Sequence, residues 1–310
     1  MKLALMNSMM LLAVLCQVSA AAEQSGLQKI SNHVYAYVNC TNPSPSANSF
    51  GANVGVIIGK DGVLVVDTLV SAKEGRRLLA DIRKITDKPI KFVVNTHYHL
   101  DHAWGNCAFV ETGAVIISQD NSREALRRES AYGLAHYEQF DLTAKDIEGT
   151  TLVEPAVTFS DRMTVSLGDV TAELVYRGPT HTKDSITVYV PEDKVLFTGD
   201  ILFTRYHPYL GEGDFQNWPR VLDELAKVDA VAIIPGHGPV STKNDLKDMK
   251  EYIRVFDTQA KLLSKGKSAS DAPAIAKELI KRLPDQKRTV LEIMIQSNLS
   301  VRYLPKPEAK

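Results

Sequence analysis

The sequence predicts an α/β fold of two β-sheets packed face to face, clothed by helices on the outside and followed by a helical extension. Three observations carry this expectation. First, a strand-turn-strand-helix-strand order occurs twice, and each copy ends in a strand that delivers histidine. Second, Asp61-Gly62-Val63-Leu64-Val65-Val66-Asp67 in the first copy matches Asp193-Lys194-Val195-Leu196-Phe197-Thr198-Gly199-Asp200 in the second. Third, the chain beyond Val240 has helical patterning but no His or Cys. Strand ends that converge on polar residues place a site at one edge of the sheets.

The elements follow in order. Strand patterns run over His33–Val38, Asn53–Ile58 and Val63–Asp67, with Gly59-Lys60-Asp61-Gly62 as turn chemistry that makes the last two an antiparallel hairpin. Residues 71–86 form a helix with Leu78, Leu79, Ile82 and Ile85 on one face, stopped ahead of Pro89. Ile90–Asn95 is a short buried strand that runs into Thr96-His97-Tyr98-His99. Residues 120–139 read as one helix, 141–155 as an irregular connection and 157–176 as strands. In the second copy, Ser185–Val190 and Lys194–Thr198 form a hairpin around Pro191-Glu192-Asp193, a helix covers Pro219–Val228, and the strand Ala230–Ile234 leads into Pro235-Gly236-His237-Gly238. Helices over Lys243–Leu263, Ser270–Leu283 and Lys287–Asn298 make up the extension, packed on the core or available for self-association.

Composition narrows the function. At 310 residues, 44% hydrophobic and 24% charged, with a net charge of -1, the chain buries a substantial core and offers no basic surface for nucleic acid or anionic lipid. Lys2, the apolar run Leu3–Val18 and the small residues Ser19–Ala22 form a secretory signal peptide, residues 1–22, with cleavage after Ala20 or Ala22. The expectation is a periplasmic or secreted protein with no membrane span once the signal is removed. A catalytic domain then occupies residues 23–240 and the extension residues 241–310. Export leaves Cys40 and Cys107, either joined as a disulfide or present as two thiols.

Five of the eight histidines stand in ligand chemistry: His97, His99 and His102 within one short run, then His181 and His237 in loops. Leaving an extended strand, His97 and His99 point to one side and hold one ion, while Asp101 and His102, past the bend at Leu100, turn toward a neighbouring position. Further ligands must come from elsewhere. His181 lies in Gly178-Pro179-Thr180-His181-Thr182 and His237 between glycines, where backbone approaches a metal closely. Asp200, after Thr198-Gly199 at a strand end, has two oxygens with which to bridge two cations; its competing reading is a turn or capping residue.

Together, Thr96-His97-Tyr98-His99-Leu100-Asp101-His102, Gly178-Pro179-Thr180-His181-Thr182, Thr198-Gly199-Asp200 and Pro235-Gly236-His237-Gly238 resemble the five-motif pattern of the metallo-β-lactamase superfamily, over about residues 30–240. The resemblance implies a four-layer αβ/βα sandwich and two Zn²⁺ per chain. One ion would lie on His97, His99 and His181, the other on Asp101, His102 and His237, with Asp200 between them. It further implies hydrolysis, by an activated hydroxide, of an amide, ester or thioester carbonyl, β-lactams among the possible substrates. Asp200 departs from the antibiotic-hydrolysing branch, which typically carries Cys or Ser there; bridging aspartate is typical of thioesterase, lactonase and phosphodiesterase relatives.

Two cations against two aspartates and a hydroxide leave a positive site suited to a small anionic substrate. Asp101 is expected to orient the nucleophile and relay its proton. Asp67 is a candidate acceptor for a ligand histidine or an ordinary strand-end residue. Trp104, Asn106, Tyr206, His207 and Tyr209 are candidates to line the substrate pocket, with core packing an equal account of Trp104. Residues 41–51, rich in Pro and Ser and holding Phe50, are a candidate flap. Two alternatives remain open: a single iron serving oxidation of persulfides, and a non-catalytic metal-binding accessory protein.

Overall fold

The computed structural model describes residues 26–38, 51–284 and 292–305. The expected signal peptide, Cys40 and most of the candidate flap lie outside the described residues.

The first half contains β1 (Gln28–Lys29), β2 (Val34–Tyr37), β3 (Val54–Gly59), β4 (Gly62–Val66), α1 (Ala72–Arg83), β5 (Ile90–Val94), α2 (Leu100–Ala103), α3 (Asn106–Val110), β6 (Val115–Gln119), α4 (Asp120–Ala125), α5 (Ala131–Ala135) and β7 (Val157–Phe159). Then come β8 (Arg162–Ser166), β9 (Thr171–Tyr176), β10 (Ile186–Val190), β11 (Val195–Phe203), α6 (Asn217–Leu225), β12 (Ala232–His237), α7 (Lys243–Ser264), α8 (Ala272–Ile280) and α9 (Glu292–Arg302). Among the described residues, β1 to β7 form one sheet in sequential order, and β12-β11-β10-β9-β8 form a second. β4 to β7 pair in parallel, as do β11 and β12, while β3/β4 and β10/β11 are antiparallel hairpins.

Period-two alternation builds the layers. Along β4, Leu64 and Val66 face the second sheet and meet Val188, Phe197 and Ile234, whereas Val63 and Val65 face outward onto Leu78 and Ile82 of α1. α1 starts where the Ser71 hydroxyl accepts from the Glu74 N–H, and its acidic Glu74 and basic Arg83 suit the two ends of the helix dipole. On the far side, Leu196 and Ile233 of the second sheet pack against α6, α7, α8 and α9 around Trp218, Tyr252, Phe256 and Leu299. The order is helix, sheet, sheet, helix, as expected for an α/β sandwich. The extension shares one hydrophobic cluster with the second sheet and so closes its outer face. None of the described helices is long and apolar enough to cross a membrane.

Three local expectations change. β6 is an additional buried strand that sequence reading passed over; it inserts in parallel between β5 and β7. The helix expected over 120–139 is instead α4, a wide π-helical turn over Leu126–Ser130, α5 and a 3₁₀ turn over Tyr137–Phe140. This turn puts Leu126 against Tyr98 and Ala103, and lets the Ser130 hydroxyl donate to the Tyr98 carbonyl at 3.1 Å. β11 does not end at Asp200 but runs to Phe203 with irregular pairing to β12 between Phe197 and Phe203.

Candidate metal centre

The predicted ligands gather around the carboxyl ends of β5 and β12, with Asp67 beside them at the end of β4, the placement expected where parallel strands deliver a site. His97 and His99 lie between β5 and α2; Asp101 and His102 form the first turn of α2; His181 sits in the β9–β10 connection; His237 ends β12. Asp200 reaches them from inside β11 because Gly199 adopts φ +49°, a left-handed conformation that produces the irregularity in pairing and turns the next side chain inward.

Two donor sets result: His97, His99, His181 and Asp200 in one, and Asp101, His102 and His237 in the other, with donor atoms within each set no more than 4.8 Å apart. Asp200 stands between them. Its Oδ2 is 3.3 Å from His181 Nε2 and 3.8 Å from His97 Nε2, while its Oδ1 is 3.2 Å from His102 Nε2 and 3.4 Å from His237 Nε2. Asp101 Oδ2 lies 3.3 Å from His237 Nε2 and 3.6 Å from His102 Nε2.

The outer partners of the rings decide which nitrogen is free. A carboxylate or carbonyl can only accept, so the imidazole nitrogen facing it carries the proton. Asp67 Oδ2 faces His102 Nδ1 at 2.8 Å, so that in the neutral ring His102 Nε2 is the lone pair toward Asp200. The same Oδ2 accepts from the Thr96 hydroxyl at 2.8 Å, so Thr96 Oγ1 in turn accepts from His97 Nδ1 at 3.2 Å and His97 Nε2 is free. The Tyr209 carbonyl faces His181 Nδ1 at 3.1 Å and Glu212 Oε1 faces His99 Nε2 at 3.4 Å. With both rings neutral, His181 Nε2 and His99 Nδ1 would then both present lone pairs across 3.0 Å, a contact that needs a proton or a metal ion between them.

His97 Nε2, His102 Nε2 and Asp200 Oδ1 are also buried without a hydrogen-bond partner, a costly state for polar atoms in a protein interior. Imidazole nitrogens and carboxylate oxygens in this number are the donors that Zn²⁺ takes. The residues fit a metal centre.

Charge tells the same story. Burial, reinforced by the neighbouring histidine rings, pulls His181 down to about 4 and holds His97 well below the ordinary histidine range. Burial also opposes a charge on His237, yet Asp200 and Asp101 outweigh it and push this ring up to about 9. His102 is likewise driven well above the histidine range, burial being overcome by Asp101, Asp200 and Asp67. Burial pushes the Asp200 carboxyl up, but His237 and His102 prevail and hold it well below the carboxylate range. The carboxylates thus draw positive charge onto His102 and His237, and a metal ion held by these rings would take the place of those protons.

Backbone fit is equally tight. A Cβ on Gly236 would stand 1.9 Å from Asp200 Oδ1 and 2.7 Å from the Gly199 carbonyl carbon. Gly236→Ala is therefore expected to displace Asp200 and to reduce metal uptake by the folded protein, read by elemental analysis beside a circular-dichroism spectrum; full metal content would refute it. Asn53 secures this loop from the other sheet, donating through Nδ2 to the Pro235 and Gly238 carbonyls at 2.8 and 2.9 Å.

The pocket expectations divide. Tyr209 flanks the first donor set, its ring centroid 5.9 Å from that of His99. Tyr206 is half-buried against the α6–α9 cluster. Trp104, Asn106 and His207 are corrected: all three are buried and offer a substrate no surface. Trp104 packs with Val70, Leu142 and Phe140. Asn106 exchanges hydrogen bonds with Asn95, which also donates to the His102 carbonyl at 3.0 Å, so it braces the histidine turn from beneath. His207 bonds Tyr252 and Asn298 and ties the extension to the core. Cys107 is a free, buried thiol, and Cys40, its partner in the disulfide alternative, lies outside the described residues.

Thr96, Asn53 and Glu212 were not singled out from the sequence. Only Glu212 had a legible signal, a lone carboxylate between two glycines.

Residues 48–237 match the family model for the metallo-beta-lactamase superfamily. Among relatives, the chain is 27% identical to a linear primary-alkylsulfatase of Pseudomonas over 68% of its own length and 47% of the relative's. It is 28% identical to a 2,4-dinitroanisole O-demethylase subunit alpha of Nocardioides over 58% and 51%, so it spans about half the length of these two proteins. A metallo-beta-lactamase type 2 of Bacteroides fragilis is 22% identical over 79% of this chain and 92% of that one. Among solved structures, a metallo-beta-lactamase from Pontibacter korlensis shares the fold with a TM-score of 0.58, at 23% identity over 74% of this chain and 98% of that one. The DIM-1 metallo-beta-lactamase does so with a TM-score of 0.58, at 22% identity over 74% and 96%. With the matched segment covering more than half the chain and holding all seven gathered donors, this protein belongs to the metallo-β-lactamase superfamily.

Proposed function

We propose that the protein is an exported hydrolase that works with two zinc ions on a small anionic substrate bearing an amide, ester or thioester. The observation that carries this reading is the Asp200 carboxylate, which turns one oxygen toward each donor set. His97, His99 and His181 would hold one ion and Asp101, His102 and His237 the other, with Asp200 shared. When bound, such ions supply Lewis acidity and acidify a water toward neutral pH.

The chain's own residues do the rest. Burial raises the Asp101 carboxyl, but His102 and His237 outweigh it and keep it below the usual carboxylate range, so it stays ionised. It is then an acceptor for a proton of the attacking water, able to orient that water and hold the proton. Phe203 stacks on His237, ring planes 8° apart, and Trp218 meets His181 edge-on with centroids 5.6 Å apart. These apolar rings exclude water from the back of the cluster and strengthen its electrostatics.

Substrate choice is tested by a panel comprising a carbapenem, a cephalosporin, a lactone, a thioester and an alkyl sulfate, the last because one relative is an alkylsulfatase. Turnover of at least one carbonyl substrate is expected, falling to the buffer rate with chelator and returning with Zn²⁺. Elemental analysis of protein purified without added metal should find two zincs per chain. One iron, or turnover that persists after chelation, would refute the proposal.

A further inference from the structure

The loop between β11 and α6 supplies two outer partners of the first donor set: the Tyr209 carbonyl faces His181 Nδ1, and Glu212 faces His99 Nε2. Glu212 is itself braced, since Tyr98 donates to its Oε2 at 2.8 Å. The loop is gripped from outside the family-matched segment by the last helix. Asn298 Oδ1 accepts from the Leu210 N–H at 2.8 Å, and its Nδ2 donates to the Pro208 carbonyl at 3.2 Å and to His207 Nε2 at 3.0 Å. One turn later, Arg302 donates to the Gly213 carbonyl at 2.7 Å and lays its guanidinium over the Phe215 ring at 3.8 Å. Positions four apart share a helix face. The two grips therefore bracket Glu212 from a single surface, and Asn298 is fully buried in making the first.

We propose that α9 is a positioning device for the metal centre: through Asn298 and Arg302 it clamps residues 207–215, and Tyr209 and Glu212 of that loop fix the rings of His181 and His99. Among the described residues the second donor set shows no such link: His102 is oriented by Asp67 and the His237 loop by Asn53. α9 thus sets the affinity of one metal position and leaves the other to the core. The inference rests on the metal-centre reading above.

The test is zinc titration by calorimetry of the full chain after chelator stripping. Glu212→Ala is expected to weaken one of two binding steps by ~10–100-fold, the usual effect of losing an outer partner of a ligand histidine, and to spare the other. Asn298→Ala and Arg302→Ala should weaken the same step toward the lower end of that range. Glu212→Gln should recover most of the loss, because its amide oxygen still accepts from His99 Nε2–H. In ¹⁵N spectra of the histidine rings, His99 should carry its proton on Nε2 in the wild type and lose that preference in Glu212→Ala. A purely structural role for α9 would lower the unfolding temperature of the stripped protein while leaving both steps intact, and that result overturns the proposal. Parallel weakening of both steps overturns it too. If Asn298→Ala does not fold, the Glu212 pair and Arg302→Ala decide. A wild type that takes up no zinc overturns the metal-centre reading itself; a wild type with two sites and indifferent variants overturns this inference alone.

Discussion

Replacing Asp200 by asparagine is expected to reduce zinc uptake from two ions to at most one and to abolish chelator-sensitive hydrolysis. Asparagine matches the shape of aspartate but presents one oxygen and one amide NH₂ where Asp200 presents two anionic oxygens. Whichever way the amide turns, one donor set meets an N–H instead of an acceptor: either His181 and His97 on the Oδ2 side, or His102 and His237 on the Oδ1 side. The loss of affinity at that position should exceed the ~10–100-fold typical of removing an outer partner, because a direct donor and a unit of charge disappear together. Fold and secondary structure should persist, as Asp200 lies at the site rather than in the apolar layers. Calorimetric titration with zinc checks this, and two tight sites in Asp200→Asn would sink the shared-carboxylate reading.

Asp67→Asn should have nearly as large an effect while touching no metal. The Thr96 backbone N–H points at Oδ1 at 2.7 Å and can only donate, so the asparagine oxygen must take that side. The NH₂ group then falls where Oδ2 now accepts from both Thr96 Oγ1 and His102 Nδ1. His102 Nδ1 becomes an acceptor, its proton moves to Nε2, and that N–H points at Asp200 in place of a lone pair. One substitution thereby inverts the ring that completes the second donor set. A loss of ~10–100-fold in zinc affinity is expected, with the His102 tautomer switch visible in ¹⁵N spectra of the rings. Aspartate and asparagine both tolerate the left-handed backbone at this position, φ +65°, so the variant should fold. Unchanged zinc affinity alongside an unchanged tautomer would remove Asp67 from the mechanism.

Much of this architecture was legible in the chain because it is written in local patterns. The largely β-branched apolar run Val63–Val66, set off by the Gly59–Gly62 turn, announces a buried strand, and the spacing of Leu78 and Ile82 announces the helix covering one of its faces. β6 was not legible because Val115–Ile117 gives only three apolar residues, too short a run to distinguish strand from helix. The break in the 120–139 helix escaped for a different reason. Its cause is long-range: Leu126 packing against Tyr98 and Ser130 bonding the Tyr98 carbonyl cannot be read from periodicity. Trp104, Asn106 and His207 were placed near the substrate because they follow ligand motifs closely. Proximity along the chain does not say which way a side chain turns, and all three turn inward.

The chain alone specified the identity of the donors, since histidine and aspartate at strand-to-loop junctions are a chemical statement that needs no coordinates. It also specified the sandwich, because apolar β-branched runs bounded by turn residues mark strands buried on both faces. The division of the donors into two sets was already implied by the resemblance; only the assembled structure decided which outer partner faces each ring, how Asp200 turns one oxygen to each set, and that the last helix grips the loop holding His99 and His181. Those outcomes depend on hydrogen bonds between residues far apart in the chain, such as Glu212 with His99 or Asn298 with Leu210, and such pairings exist only once the layers have closed.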